Sequence, residues 1–243
     1  MNRGLYTAAS AMSSSQVWLD TVANNLANAS ATGYKRDEVE FEESLLRELR
    51  SNGGNGKIVG DLQSGPLVSK ITTSFERGST MATGNGLDVA INTPTGMFAI
   101  ETPTGTKYTR AGSFTLNSNR ELVNQDGHRV LDQNLRPIRV SADGSVKISA
   151  DGTVEANGTA AGQVGVFTGT FTKVGQNQFS ARGRVSLQAN SVLTPGALES
   201  SNVNVVSTMI EMVQVQRLFE MAQKSVQNHD ETTSELIKTL NPN

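Results

Sequence analysis

Two histidines, scattered carboxylates, paired glycines and many serines are the side chains of this sequence from which chemistry could be built. His128 follows Asp126-Gly127, and His229 precedes Asp230; no His-x-x-x-His or comparable ligand spacing joins them. Cysteine is absent, so there is neither a thiolate ligand nor a disulfide. Gly84-Asn85-Gly86 could open a phosphate loop, but no third glycine stands at the needed spacing and no Gly-Lys-Ser/Thr follows. Asp143-Gly144 and Asp151-Gly152 lack the further oxygens and the bidentate Glu of a calcium loop. No serine sits in a Gly-x-Ser-x-Gly elbow. These patterns point away from catalysis, from a metal and from any cofactor.

The composition narrows the partners. The 243 residues suffice for one large or two modest domains. Lys plus Arg is 21 against 23 for Asp plus Glu, a net charge of −2 that argues against a nucleic-acid partner. Hydrophobic residues are 36% and aromatics 5%, which suits slim domains rather than one thick globule. No apolar run approaches the roughly 20 residues that span a bilayer, so no membrane insertion is expected. Met1 to Tyr6 lack the apolar core of a secretory signal. The expectation is a cytoplasmic chain, or one that leaves by a route that reads no such signal.

The elements that must position everything else lie at the two ends. Leu5, Ala8, Met12, Ser15, Leu19, Val22 and Leu26 recur at alternating steps of three and four, with no Gly or Pro from Leu5 to Ala31. Gly33 suits the end of that helix. Val203 to Leu240 is also free of Gly and Pro. There Val205, Met209, Met212, Gln216, Phe219, Gln223, Val226, Asp230, Thr233, Ile237 and Leu240 keep a heptad spacing, and Val206, Ile210 and Val213 widen the apolar face. A helix of about 36 residues is roughly 54 Å long, more than a small domain needs. The spacing predicts two weak heptad helices that pair with each other and with neighbouring copies; two ordinary amphipathic helices on a globular core would give the same pattern.

Between them the texture is different. Asp37 to Arg50 is charge-dense and reads as a short solvated helix or an extended connector, and Ser51 to Gly56 as a loop. From Lys57 to about Ser200, short alternating runs are cut by Gly, Asn and Asp. Leu87–Ile91, Met97–Ile100, Lys107–Arg110, Ser113–Leu116, Val164–Phe167 and Gln178–Ala181 read as strands, with a hairpin turn at Thr104-Gly105. The two Asp-Gly pairs suit type I′ turns. The expected fold class is α+β: residues 1–35 and 203–243 as a terminal-helix coiled-coil domain, 36–56 as a connector, and 57–202 as a β-rich middle domain of many short strands.

Three stretches resemble the bacterial flagellar rod and hook family. Ala23-Asn24-Asn25-Leu26-Ala27-Asn28-Ala29, with Thr32-Gly33-Tyr34-Lys35, resembles its N-terminal signature. Gly84 to Ile91, Tyr108-Thr109-Arg110-Ala111-Gly112-Ser113-Phe114 and Leu122-Val123-Asn124 are similar to its middle β segment, with Asp88 in the first of these. Leu198-Glu199-Ser200-Ser201-Asn202-Val203 and Met209 to Lys224, including Arg217-Leu218-Phe219-Glu220, are similar to its C-terminal signature. The run Thr93 to Phe98 departs from the Gly-x-Gly-Phe type of turn usual in the family. Within the family the proximal rod type is favoured, by length, by Leu5-Tyr6-Thr7-Ala8 and by Arg217 to Met221; the distal rod type is next.

The resemblance implies a structural subunit of the flagellar basal body. Its terminal helices would form a coiled coil and polymerise helically into the periplasmic rod that carries torque from motor to hook. Its partners would be copies of itself, other rod proteins and ring proteins around the rod. It would leave the cell interior through the flagellar type III export apparatus, without a cleaved signal peptide. Leu5, Met12, Leu19, Val22, Leu26, Met209, Met212, Val213, Phe219 and Val226 are the expected contacts between helices and between subunits. Asn24, Asn25, Asn28 and Gly33 would set the turn out of the first helix. A rival class is a soluble β-domain binding module for carbohydrate or peptide with dimerising helices, but the aromatics such a site uses are few. A hydrolase fused to rod elements finds no catalytic constellation.

Overall fold

The structure is a computed structural model that describes residues 3–43, 47–50, 58–62, 66–141, 144–175, 177–188 and 193–240. In chain order the elements are α1 (Arg3–Ala27), β1 (Asp37–Glu43), β2 (Arg47–Arg50), β3 (Ile58–Leu62), β4 (Pro66–Thr73), β5 (Thr80–Ala82), β6 (Val89–Ile91), β7 (Met97–Thr102), β8 (Gly105–Thr109) and β9 (Phe114–Leu116). They continue with β10 (Leu122–Asn124), β11 (Arg129–Val130), β12 (Val146–Ile148), β13 (Thr153–Ala156), β14 (Thr159–Gln163), β15 (Val166–Lys173), β16 (Phe179–Leu187), β17 (Leu193–Pro195), β18 (Ala197–Glu199) and α2 (Val205–Leu240). The chain divides into two compact units: Met1–Leu26, Asp37–Thr72 and Val205–Asn243 form one, Ala27–Arg36 and Thr73–Asn204 the other.

The first unit holds both helices and two antiparallel strand pairs, β1 with β4 and β2 with β3. The charge-dense segment is therefore strand where it is described, not helix. Glu40 and Glu42 face water on a ladder: Ser69 donates to Glu42 and Thr72 to Glu40. The end of α1 is clamped to β1 by the buried Asn25, whose Oδ1 accepts from the Asp37 N–H at 3.0 Å and whose Nδ2 donates to the Asp37 carbonyl at 2.8 Å. Asn25→Ala would remove both hydrogen bonds. It is expected to cost about 1–3 kcal/mol in urea unfolding followed by helical circular dichroism; a change under about 0.5 kcal/mol, the size of an ordinary surface substitution, would show that the clamp contributes nothing.

The terminal coiled-coil domain expected from the sequence is not formed. A coiled coil needs large apolar knobs at its inward positions. On α1 the buried positions are Ala8, Ser14, Ser15, Thr21, Val22 and Asn25, mostly small or polar. On α2 the buried ones among the described side chains are Thr208 and Val215, while Val205 and Met209 of the expected seam, and Val213 beside it, are exposed. The apolar residues of α2 are divided between two faces: Met212, Phe219 and Val226, spaced seven apart, stay half-buried, and Met209 and Val213 turn outward. The helices do meet within this unit through a polar contact, the Trp18 indole donating to Glu211 at 2.8 Å.

The second unit is built on a seven-stranded sheet in the order β15-β16-β8-β7-β11-β10-β9, in which β15 also pairs with β7. Strands β7, β8, β16 and β15 thus close on themselves. Consecutive residues of β7 serve two cores: Phe98 and Ile100 pack with Phe114, Leu122, Val130 and Val166, whereas Met97 and Ala99 pack with Tyr108, Phe167, Phe171 and Phe179. Alternation along a strand with both faces covered explains why this run reads as continuously apolar. A three-stranded sheet, β12-β13-β14, adds Ile148, Val154 and Ala156 to the first core. The turn at Asp151-Gly152 has positive φ only at Gly152, and Asp151 instead caps Thr153 through its side chain, so it is not of type I′. Asn157-Gly158, with φ of 49° and 78°, carries positive φ at both positions, as type I′ requires.

Candidate functional site

Two of the signature residues, Lys35 and Arg110, meet in one buried polar node in the β unit. Strand β18 ends at Glu199, a carboxylate with side-chain exposure of 1%. Its Oε1 accepts from Lys35 Nζ at 2.7 Å and from the Gly78 N–H at 3.1 Å; its Oε2 accepts from Arg110 Nε at 2.6 Å. Lys35 also donates to the Glu76 carbonyl at 2.6 Å. Arg110, at the end of β8, donates onward from its guanidinium to the carbonyls of Gly96 and Ile91. Every polar atom of the node is therefore matched, which is what makes burial of three charges tolerable.

Electrostatics follow from that packing. Burial by itself raises the Glu199 carboxyl, but the Arg110 charge and the hydrogen bonds from Lys35 and Arg110 outweigh it and hold the group below the usual glutamate range. Burial draws the Lys35 ammonium downward, against the pull of Glu199. A carboxylate with both oxygens committed to three donors has no capacity left to move a proton for a substrate. The node holds segments together; it is not a catalytic dyad.

The neighbouring signature residues complete the same knot. The Gly33 N–H donates to the Glu199 carbonyl at 2.7 Å, at a φ of +66°. Tyr34 is fully buried, with Lys173 Nζ 3.9 Å from its ring centroid; the same ammonium donates to the Lys35 carbonyl. Asn202 Oδ1 accepts from the Arg36 N–H, and its Nδ2 donates to the Ser74 carbonyl. Ser201 Oγ accepts from the N–H of the buried Val203. Asp88 accepts from Thr83 and Asn85, fixing the turn before β6. Thr109 Oγ1 accepts from the Ala111 N–H, Tyr108 lies in the second core, and a Cβ on Gly112 would sit 1.7 Å from the Val89 carbonyl oxygen. Asn28, half-buried, starts the turn that ends at Ala31.

The remaining candidates lie on the helices and are not gathered into a site. Val22 is buried, Leu5, Met12, Leu19 and Leu26 are half-buried, and Asn24, Arg217 and Glu220 are exposed. Sequence reasoning missed the role of Glu199. Glu199 closes the buried strand Ala197-Leu198-Glu199, and no local pattern in the sequence marks it. Among the described residues no group of three or more His, Asp or Glu could hold a metal ion, and no helix is long and apolar enough to cross a membrane.

A second feature is a surface. Val205, Val206, Met209, Ile210 and Val213 share one face of α2, opposite the buried Thr208 and Val215, and are 41–68% exposed. A contiguous apolar face of this kind is a candidate interaction surface.

Comparison with known proteins places three segments. Residues 5–35 match the family described as flagella basal body rod protein, 90–156 the flagellar hook protein FlgE/F/G D1 domain, and 194–239 the flagellar basal body rod FlgEFG protein C-terminal region. The flagellar basal-body rod protein FlgG of Bacillus subtilis is 33% identical over 266 residues, covering 98% of each chain. FlgF of Mesorhizobium japonicum is 35% identical over 248 residues, covering 99% of this chain and 98% of its own. FlgG of Borreliella burgdorferi is 32% identical over 255 residues, covering 95% and 96%.

Proposed function

The chain belongs to the flagellar basal-body rod protein family, of the FlgF and FlgG type, and on that premise we propose that it polymerises helically into the periplasmic drive shaft between motor and hook. The family is structural rather than enzymatic. The observation that carries the proposal is the outward apolar face of α2, with Met209 and Val213 at its centre. Neighbouring rod subunits cover it. A head-to-tail contact that does not close gives a filament instead of a ring. Leu5, Met12, Leu19, Met212, Phe219 and Val226, half-buried in the single chain, complete their burial in the same event.

The position is the proximal rod, supported by the Arg217 to Met221 run and the length of the chain. A distal position is the second reading, favoured by FlgG relatives that align over nearly the whole chain. Labelling the subunit in purified basal bodies separates the two. Delivery is through the flagellum's own export apparatus, and ring proteins around the rod are further neighbours.

The test is the double substitution Val206→Asp and Ile210→Asp. Both side chains point into water in the single chain, so the monomer's unfolding should shift by no more than about 0.5 kcal/mol per site. Each loses an apolar burial worth about 1.5–3 kcal/mol at the contact, so association should weaken by at least about tenfold per site and motility should fail. Motile cells with intact rods would refute the assignment of this face.

A further inference from the structure

The sequence has seven methionines, and their surroundings differ. Met97 is sealed in the second core, and Met12 and Met212 are half-buried on the helices. Met81, Met209 and Met221 are 50–59% exposed, which leaves the thioether open to solutes in the free chain. Among the described methionines, Met209 alone belongs to the apolar face of α2. Val205, Val206 and Val213 stand one helical turn from it, and Ile210 is beside it. Met221 has Arg217, Leu218 and Lys224 at the same spacing, so it lies on a mixed and largely charged surface.

Sulfur gives that face its one reactive atom. A thioether lone pair attacks one oxygen of hydrogen peroxide; the O–O bond breaks, an S–O bond forms, and the departing oxygen leaves as water. Sulfur is oxidised by two electrons and the peroxide reduced by two. The sulfoxide keeps the length of methionine but carries a polar oxygen that accepts hydrogen bonds. The side chains of Val205, Val206, Ile210 and Val213 offer it no donor, and the backbone N–H groups in the interior of a helix are already committed. In the free chain water solvates this oxygen. Under a covering surface it becomes an acceptor with no partner, which costs the full desolvation of the group.

We propose that Met209 is an oxidation site that controls entry into the rod: hydrogen peroxide converts it to the sulfoxide in the free chain, and the oxidised subunit is excluded from assembly until sulfoxide reductases restore the thioether. The inference rests on the reading of the α2 face as the polymerising surface. Covering that face also shields the sulfur, so oxidation sorts free subunits and leaves built rods unchanged. In the test, synthesis of the full chain is switched on only while cells are exposed to hydrogen peroxide. Met209 sulfoxide is then measured by peptide mass spectrometry in purified rods and in the unassembled pool. The fraction in rods should be at least about tenfold lower, the effect of losing one apolar side chain from a contact. Equal fractions overturn the proposal. Met209→Leu removes the sulfur; whatever its own rod count, that count should no longer fall with peroxide, whereas the parent and Met221→Leu should both lose rods severalfold. A fall in Met209→Leu as large as the parent's overturns the assignment to this sulfur. Met209→Gln, permanently polar, should reduce rods without peroxide while leaving the circular dichroism of the monomer unchanged; full rods overturn it. If Val206→Asp with Ile210→Asp also assembles, the reading of the face has failed and the proposal with it. If that double variant is excluded while Met209 sulfoxide enters rods freely, the oxidation proposal alone has failed.

Discussion

Glu199→Gln is expected to destabilise the β unit by about 3–5 kcal/mol, the cost of breaking a buried ion pair by removing one partner. Lys35 and Arg110 are both almost fully buried, and the neutral amide would leave two cations inside the unit with no counter-charge. Against a total stability of about 5–15 kcal/mol, such a loss takes much of the margin, and rods should fail to accumulate. Urea unfolding of the monomer checks the first statement. The acid limb checks its cause. The folded-state pKa of Glu199 lies below the unfolded one, so its contribution is fully present above the usual glutamate value and is lost as pH falls through the folded value. Glu199→Gln should flatten that part of the pH profile. A variant as acid-sensitive as the parent, and as stable, would show that the node adds nothing.

Gly33→Ala is expected to cost more than about 3 kcal/mol, for two separable reasons. At a φ of +66° any Cβ meets left-handed strain worth about 1–2 kcal/mol. A Cβ there would also stand 2.5 Å from the Arg110 carbonyl carbon and 2.6 Å from the Ala111 nitrogen, which are backbone atoms with no rotamer in which to escape. The control is Gly127→Ala: its φ is +81° but nothing lies within 4 Å of the added Cβ. Gly127→Ala should show the strain alone, about 1–2 kcal/mol. Equal costs at the two sites would mean that the chain relaxes around Gly33 and that the close approach to Arg110 is unimportant. Because the Gly33 N–H also donates to Glu199, the two node substitutions should not be additive when combined.

The strands around Phe98, Tyr108 and Phe167 were readable because short β-branched, aromatic and apolar runs bounded by turn residues, with a Gly at the hairpin, are local properties. Both helices were readable for the same reason, to within two residues at the start of α2. How the helices bury themselves was not. Successive helical residues stand about 100° apart, and spacing names the lines of residues without saying which line is covered: Met209 faces water and its neighbour Thr208 does not. The node was half legible. Lys35 and Arg110 stood in recognisable runs, but Glu199, which unites them, comes from far along the chain, and nothing local says that a lone acid will be buried between two bases. The strand character of the charge-dense segment was hidden similarly, since its partner β4 supplies the ladder from outside it.

The separation of Glu199 from its partners has a consequence in time. A polypeptide is made from its amino end at about 5–20 residues per second. Glu199 lies 89 positions after Arg110 and 164 after Lys35. The acid therefore reaches the ribosome's exit roughly 5–20 s after Arg110. Strands β17 and β18, which seal β6 and β5, arrive with it. Until then both bases remain in water, where they are charged and soluble, and the nascent β unit has no means of shutting. The residue that completes the knot is also its timer: the chain stays open while it is being made and closes only when nearly all of it exists.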